Sequence, residues 1–335
     1  MTVTLWDTTG SDVLKALAAE RRAGAMVASG LALTLVVTVD EKDVSAAEQA
    51  ATIAAQAHPC RLIIVIRRQL DTADRLDAEV QVGGRLGPVE AVVMRMYGRL
   101  TLHSEAVVLP LLAPDCPVLT WWHGPPPDEI ATDPLGVLAD RRVTDSALAP
   151  DPTAALRMRA EDFAPGDTDL AWTRTTPWRS LLASSFDGLG MTPGSARIAA
   201  EQGNASAALL AGWVARRLGI ETVVEDSAGP GITEVEIDLR ESEDGGNTGE
   251  AHSIRLSRPD GRLATFSRTG QPERQLPLLR RALGDLLAEE LRRLDADEVY
   301  AESLEQATGV KGLSSRSSRR THVWRDPALR AAAAT

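Results

Sequence analysis

At 335 residues with 44% hydrophobic side chains, the chain is long enough for two domains of ordinary size, each with its own core. The formal charge of −11 divides evenly, 13 basic against 19 acidic side chains over residues 1–150 and 23 against 28 thereafter, so neither half has the basic excess of a nucleic-acid binder. No window approaches the apolar length of a membrane span, and the start MTVTLWDTTG lacks the pattern of a signal peptide, which points to a cytoplasmic protein.

In chain order, SDVLKALAAERR places Val13, Leu14, Leu17 and Ala18 at helical spacing, with Thr9 or Ser11 as N-cap. LALTLVVTVD is a β-branched strand. SAAEQAATIAAQAHPC follows as a helix, with Ser45 and Glu48 as a capping box and Pro59 as its stop, and RLIIVIRR is a strand apolar on both faces. Strand, helix and strand of this kind imply a parallel pair with a right-handed crossover. DAEVQVGG, VEAVVMRMYG, PVLTWW and RRVTDS read as further strands, LHSEAVVLPLL as a short helix, and Asp133 as the cap of a helix opening on Pro134. Residues 1–150 are therefore expected to form a three-layer α/β domain with a mostly parallel sheet, left through ALAPDPTAAL.

The pattern then changes. Thr176 and Pro177 start a helix that puts Trp178, Leu181, Leu182 and Phe186 on one side. SARIAAE is a strand, and Asn204 caps a helix ended by Gly219. TEVEIDLR, HSIRLSR and RLATFSR alternate, the last two joined by a PDG turn. LPLLRRALGDLLAEELRRL repeats leucine at helical spacing, and Asp295 with Glu298 caps a last helix ending near Gly309. Residues 151–310 thus read as an α+β domain with an antiparallel sheet. Residues 311–335 carry six basic side chains and one acid and read as a flexible basic tail, with Trp324 as its one anchor.

Catalytic motifs are missing. There is no phosphate loop, no G-x-G-x-x-G after the first strand, no nucleophile elbow and no H-E-x-x-H, and GGRLG at 83–87 reads as a turn between hairpin strands. Five scattered histidines and two distant, proline-flanked cysteines, Cys60 and Cys116, give no metal-ligand spacing and no disulfide framework, so neither metal nor cofactor is expected. Two places stand out. LTWWHGPPP sets Trp121, Trp122 and His123 at the end of a parallel strand, where open α/β sheets bind ligands, and Asp145 and Ser146 are expected at the same end. Such a corner either holds a sugar phosphate or nucleotide or packs beneath neighbouring loops, and tandem strand residues face opposite ways, so one tryptophan belongs to the core. The other place is TDLAWTRTTPWRSLLASSFD, where Trp172, Arg174, Trp178 and Arg179 form a core, a cleft or a docking surface, tryptophan and arginine being enriched at interface hot spots.

LWDTTGSDVLKAL, LTLVV, HPCRLIIV, LTWWHGPPP, RRVTDS, DLAWTRTTPWRSLLA and ALLAGWVARRLG, in this order, resemble the OpcA-type glucose-6-phosphate dehydrogenase assembly proteins over about residues 1–310. The resemblance implies a non-catalytic assembly factor or activator that binds glucose-6-phosphate dehydrogenase in the oxidative pentose phosphate pathway. With no nucleophile, base or metal constellation beside them, Trp172, Arg174, Trp178 and Arg179 are expected to be either a clasp between the domains or part of a docking surface. The remaining alternatives are a sugar-phosphate or nucleotide enzyme or sensor built on Trp121, Trp122 and His123, and a scaffold whose basic tail touches nucleic acid.

Overall fold

The computed structural model describes residues 2–23, 31–83, 90–187, 190–241 and 252–316. Its first sheet has eight strands: β1 (Thr2–Leu5), β2 (Leu33–Val39), β3 (Cys60–Arg67), β4 (Arg75–Val82), β5 (Glu90–Tyr97), β6 (Val118–His123), β7 (Arg141–Thr144) and β8 (Asp167–Asp169). The spatial order is β1-β4-β5-β3-β2-β6-β7-β8. The six strands from β5 to β8 in that order are all parallel, while β4 is antiparallel to β5 and to β1. Counted along the chain, the parallel strands run 3-2-1-4-5-6, the order of doubly wound dinucleotide-binding sheets.

The apolar runs explain this placement. In β2, Leu35 and Val37 face one side and Val36 the other, and both sides are fully buried, as a sheet covered on two faces requires. Helix α1 (Gly10–Ala23) covers one face through Val13 and Leu17, together with the short α3 (Ser104–Val108) and α4 (Pro134–Leu138). On the other face α2 (Val44–Ala57) lays down an alanine stripe, Ala47, Ala51, Ala54 and Ala55. That layer is completed from far along the chain: α9 (Leu283–Arg292) inserts Leu286, Leu287 and Leu291 into the same core.

Along the chain β7 is followed by α5 (Pro152–Asp162), then β8, α6 (Leu170–Thr173) and α7 (Thr176–Ser185). The first sheet thus continues past the crossing expected near residue 150. The second sheet contains β9 (Met191–Ala200), β10 (Glu221–Asp226), β11 (Ile232–Glu241), β12 (His252–Ser257), β13 (Leu263–Arg268) and β14 (Arg274–Pro277), in the order β10-β9-β11-β12-β13-β14. Helix α8 (Ala205–Leu218) packs on it, and α10 (Glu298–Thr308) packs on α8.

Several expectations need correction. The second sheet is mixed rather than antiparallel, because α8 is a crossover and returns β10 parallel to β9. The sequence hides β10: it is an edge strand, mostly exposed, without a buried apolar face to reveal it. Ser45 and Glu48 form no capping box, since α2 starts at Val44 and no side chain caps it. The last helix is capped by Asp297, which accepts from Tyr300 N at 2.9 Å, rather than by Asp295. The leucine run from Leu276 is part strand and part extended before α9 begins at Leu283.

Other local readings stand. Thr9 Oγ1 accepts from Asp12 N at the head of α1, Asp133 caps α4, Asn204 caps α8, and Gly219 ends α8 in the left-handed region. The PDG turn is held by Asp260, which accepts from Arg262 N and Leu263 N. Cys60 and Cys116 are both free thiols: burial pushes Cys60 up to about 12, and Cys116 donates to Leu31 O. GGRLG beyond Gly83 and the basic tail beyond Arg316 lie outside the described residues.

Candidate functional site

β6 delivers Trp121, Trp122 and His123 to the carboxyl end of the parallel strands. Trp121 pairs with Val37 of β2 and joins the core beneath α2 and α9, whereas Trp122 faces the other way. Both indoles are essentially buried, and both indole N–H groups lack a partner among the described residues. The ring of His123 lies 4.8 Å from that of Trp121 at 45°. Burial lowers its pKa, with Asp43 and Asp145 opposing, and its Nδ1 is also unpartnered among the described residues.

Trp122 and His123 line a cleft of about 300 Å³ with Thr38, Asp40, Arg67 and the prolines after Gly124. The cleft lies between β2 and β6, where the strand order reverses and where such sheets place a dinucleotide. Binding there depends on a glycine turn that lets the pyrophosphate approach the N-terminus of the next helix. Here β2 runs instead into Asp40-Glu41-Lys42-Asp43 and then α2, a turn with three carboxylates and no glycine. Each carboxylate would repel a phosphate about 4 Å away by about 1–4 kcal/mol, depending on the local dielectric. Arg67, the one cation lining the cleft among the described residues, is committed to Asp133 by two hydrogen bonds of 2.9 and 3.0 Å.

Asp145 and Ser146 follow β7 at this end of the sheet, but their bonds lead away from His123. Arg174, just after α6, grips both carboxylate oxygens of Asp145 at 2.6 and 2.7 Å. Although burial opposes it, the hydrogen bonds and charge of Asp145 hold the Arg174 pKa above its ordinary value. Ser146 donates to Asp169 through its backbone N–H and through Oγ, the latter at 2.6 Å. Thr144 Oγ1 and Ala171 N donate to the same fully buried carboxylate.

The segment from β8 to α7 is bonded to α9 and to the N-cap of α10. Trp172 is buried and donates from Nε1 to Asp297, 125 residues later, at 2.9 Å. The Arg179 guanidinium stacks 3.6 Å from the centre of the Trp172 ring and donates to the hydroxyls of Thr175 and Thr176. Burial lowers Arg179 to about 10, which leaves it charged at neutral pH. Thr173 donates to Glu290 of α9 at 2.6 Å, and Thr176 donates to Glu289 at 2.8 Å. Trp178 points into the core of the second sheet.

The structure therefore bonds Asp145 to Arg174, Ser146 to Asp169, and Trp172 to Asp297 beneath Arg179, leaves Trp121, Trp122 and His123 at a separate strand end, and gives Trp178 to a core. Sequence reasoning missed Arg141, Asp169, Glu290 and Asp297, which supply partners in these groups. Asp169 had a readable signal: it stands just before an apolar turn and caps α6 by accepting from Ala171 N. The partners on α9 and α10 had none, because their pairing is fixed only by tertiary folding. Among the described residues no cluster of three or more His, Cys, Asp or Glu is placed to hold a metal ion, and no helix is long and apolar enough to cross a membrane.

Comparison with known proteins agrees with the order of motifs. Two family descriptions of a glucose-6-phosphate dehydrogenase subunit match the chain, that of its N-terminal domain over residues 51–161 and that of its C-terminal domain over residues 165–304. A "Putative OxPP cycle protein OpcA" from Synechococcus elongatus is 27% identical over 254 residues, covering 70% of this chain and 52% of the relative. Its namesake from Synechocystis is 27% identical over 260 residues, covering 71% and 49%. The chain spans about half the length of the curated relatives it matches. Among solved structures, a dehydrogenase (MviM) from Clostridium difficile aligns with a TM-score of 0.40 at 7% identity, covering 83% of this chain and 96% of that one. The biliverdin reductase of Synechocystis aligns at 0.37 and 12% identity, covering 85% and 98%. Likenesses at that level carry no weight for fold or function.

Proposed function

Because the chain belongs to the OpcA-type glucose-6-phosphate dehydrogenase assembly family, we propose that it is a non-catalytic cytoplasmic partner that binds glucose-6-phosphate dehydrogenase and favours its active form. The observation that carries this reading is the turn Asp40-Glu41-Lys42-Asp43. A sheet with the strand order of a cofactor-binding domain has carboxylates where the pyrophosphate cradle belongs, so its crevice is ill suited to the nucleotide chemistry of a dehydrogenase. The polar groups that a catalytic reading would recruit are also occupied: Asp145 by Arg174, and Ser146 by Asp169.

An activator of this kind must bind the active state of its partner more tightly than the inactive one, by about 1.4 kcal/mol for each tenfold shift in their ratio. The clasp serves that purpose by fixing the two sheets relative to one another, so that a surface spanning both is presented ready-formed and binding loses less to ordering. Size-exclusion chromatography of the two purified proteins, alone and mixed, tests the partnership. Co-migration supports it. Separate elution, together with sugar-phosphate or nucleotide turnover by the isolated chain, would replace it with an enzyme acting at Trp121, Trp122 and His123.

A further inference from the structure

Arg258 follows β12 and is 7% exposed, yet no carboxylate pairs with it among the described residues. Its guanidinium donates to the carbonyls of Leu278 and Ile232, at 3.0 and 3.2 Å, and lies 5.0 Å from the centre of the Trp178 ring. Its Nε is buried and has no partner among the described residues. Beside it Arg280, exposed and likewise without a carboxylate among the described residues, donates to Pro230 O. Two glycines with positive φ make room for Arg280: a Cβ on Gly231 or Gly261 would stand 3.1 or 3.2 Å from its guanidine nitrogens.

Both arginines line a cleft of about 350 Å³, walled also by Trp178, Arg174 and Arg281. Arg174 and Arg281 are neutralised by Asp145 and Glu289. Among the described residues Glu201 is the sole carboxylate on the wall, and its Oε2 accepts from Gly231 N. The cleft therefore keeps a cationic excess within a chain of net charge −11. Burial and then the charge of Arg280 push Arg258 down to about 10, a strain that an anion would relieve.

We propose that this cleft is a binding site for a small phosphate monoester, with the phosphate between Arg258 and Arg280 and the carbon skeleton along Trp178. Guanidinium groups suit this role because their planar donors match phosphate oxygens in pairs. The volume lies at the small end of the range for small-molecule sites, about 300–1,000 Å³. The site is independent of the dehydrogenase partnership, since it rests on the cleft's own residues.

The test uses the isolated full chain and its tryptophan fluorescence, titrated at constant ionic strength with inorganic phosphate, ribose 5-phosphate and ribose. The expected result is a saturable change with both phosphates and none with ribose, lost in Trp178→Phe, whose missing indole removes the reporter. Isothermal titration calorimetry should show that Trp178→Phe still binds. Arg280→Gln, at an exposed position that does not threaten folding, should weaken binding about tenfold or more. Arg216→Gln, which removes an exposed arginine of α8 outside the cleft, should leave binding unchanged. Absence of saturable phosphate binding by calorimetry, or equal weakening by Arg280→Gln and Arg216→Gln, would overturn the proposal.

Discussion

Arg141, the first residue of β7, and Glu290, 149 residues later in α9, form an ion pair of 2.8 Å with side chains 0% and 2% exposed. Arg141 also donates to Asp295 O, and Thr173 donates to the second oxygen of Glu290. The pair ties β7, next to the edge strand of the first sheet, to a helix that the chain reaches only after completing the second. The two halves are therefore held by buried, directional bonds as well as by apolar packing.

Removing one partner strands a buried charge. Arg141→Met is expected to lower the unfolding free energy by about 3–5 kcal/mol, whereas Arg141→Met with Glu290→Leu should recover most of that loss. Urea unfolding of both variants checks this, with a double variant no more stable than the single one as the contrary result.

Arg179 and Trp172 stack at 3.6 Å, so their energies are coupled. A double-mutant cycle with Arg179→Met and Trp172→Phe should give a coupling of about 0.5–2 kcal/mol, the range for a partly desolvated cation over an indole. Additive effects would mean that the stacking contributes nothing to stability. Trp178→Ala should cost about 3–5 kcal/mol, through the cavity it leaves in the core of the second sheet and the lost contact with Arg258.

The approach of α9 to α2 depends on Gly284. A Cβ there would lie 2.6 Å from the Cβ of Ile53, well inside contact distance. Gly284→Ala should therefore destabilise the protein by about 1–3 kcal/mol despite the better helix propensity of alanine. Combining it with Ile53→Gly, which removes the opposing Cβ, should relieve the overpacking, so that the double variant is more stable than the sum of the two single effects implies. Thermal or urea unfolding of the three variants measures the difference.

Asp162 supplies a pH signature. Burial, and then the charge of Asp167, raise its pKa from 3.8 to about 6, while hydrogen bonds from Ile130 and Ala131 oppose the shift. Between those values the folded protein binds more protons than the unfolded chain, so this contribution to stability is present at low pH and is lost as pH rises through about 6. The stability of Asp162→Asn relative to the natural protein should accordingly improve between about pH 4 and about pH 7. A difference independent of pH would show that the carboxyl titrates alike in both states.

The N-terminal sheet was legible because its strands are short apolar runs, LTLVV and RLIIV, buried on both faces, and such runs announce themselves without partners. The caps at Asp133 and Asn204 and the stop at Gly219 were legible because each acts within a few residues. β1 and β10, marginal edge strands with little buried surface, were not. Trp172 and Arg174 drew notice because tryptophan is scarce in this chain and tryptophan with arginine is enriched at interface hot spots, yet their partners Asp297 and Asp145 could be assigned only from the fold. Arg258 read as the last residue of a hairpin strand, since nothing local reveals that Trp178 and Arg280, distant in sequence, share its cleft.

The role proposed for this chain is action on glucose-6-phosphate dehydrogenase without chemistry of its own. The most direct measurement is the initial rate of the purified dehydrogenase at fixed concentration, titrated with the full chain, beside a control containing the chain alone. The expected result is a saturable rise in rate that reaches its plateau at a fixed molar ratio, with no turnover in the control. A rate that stays flat across the titration, or turnover by the chain in the absence of the dehydrogenase, would contradict it.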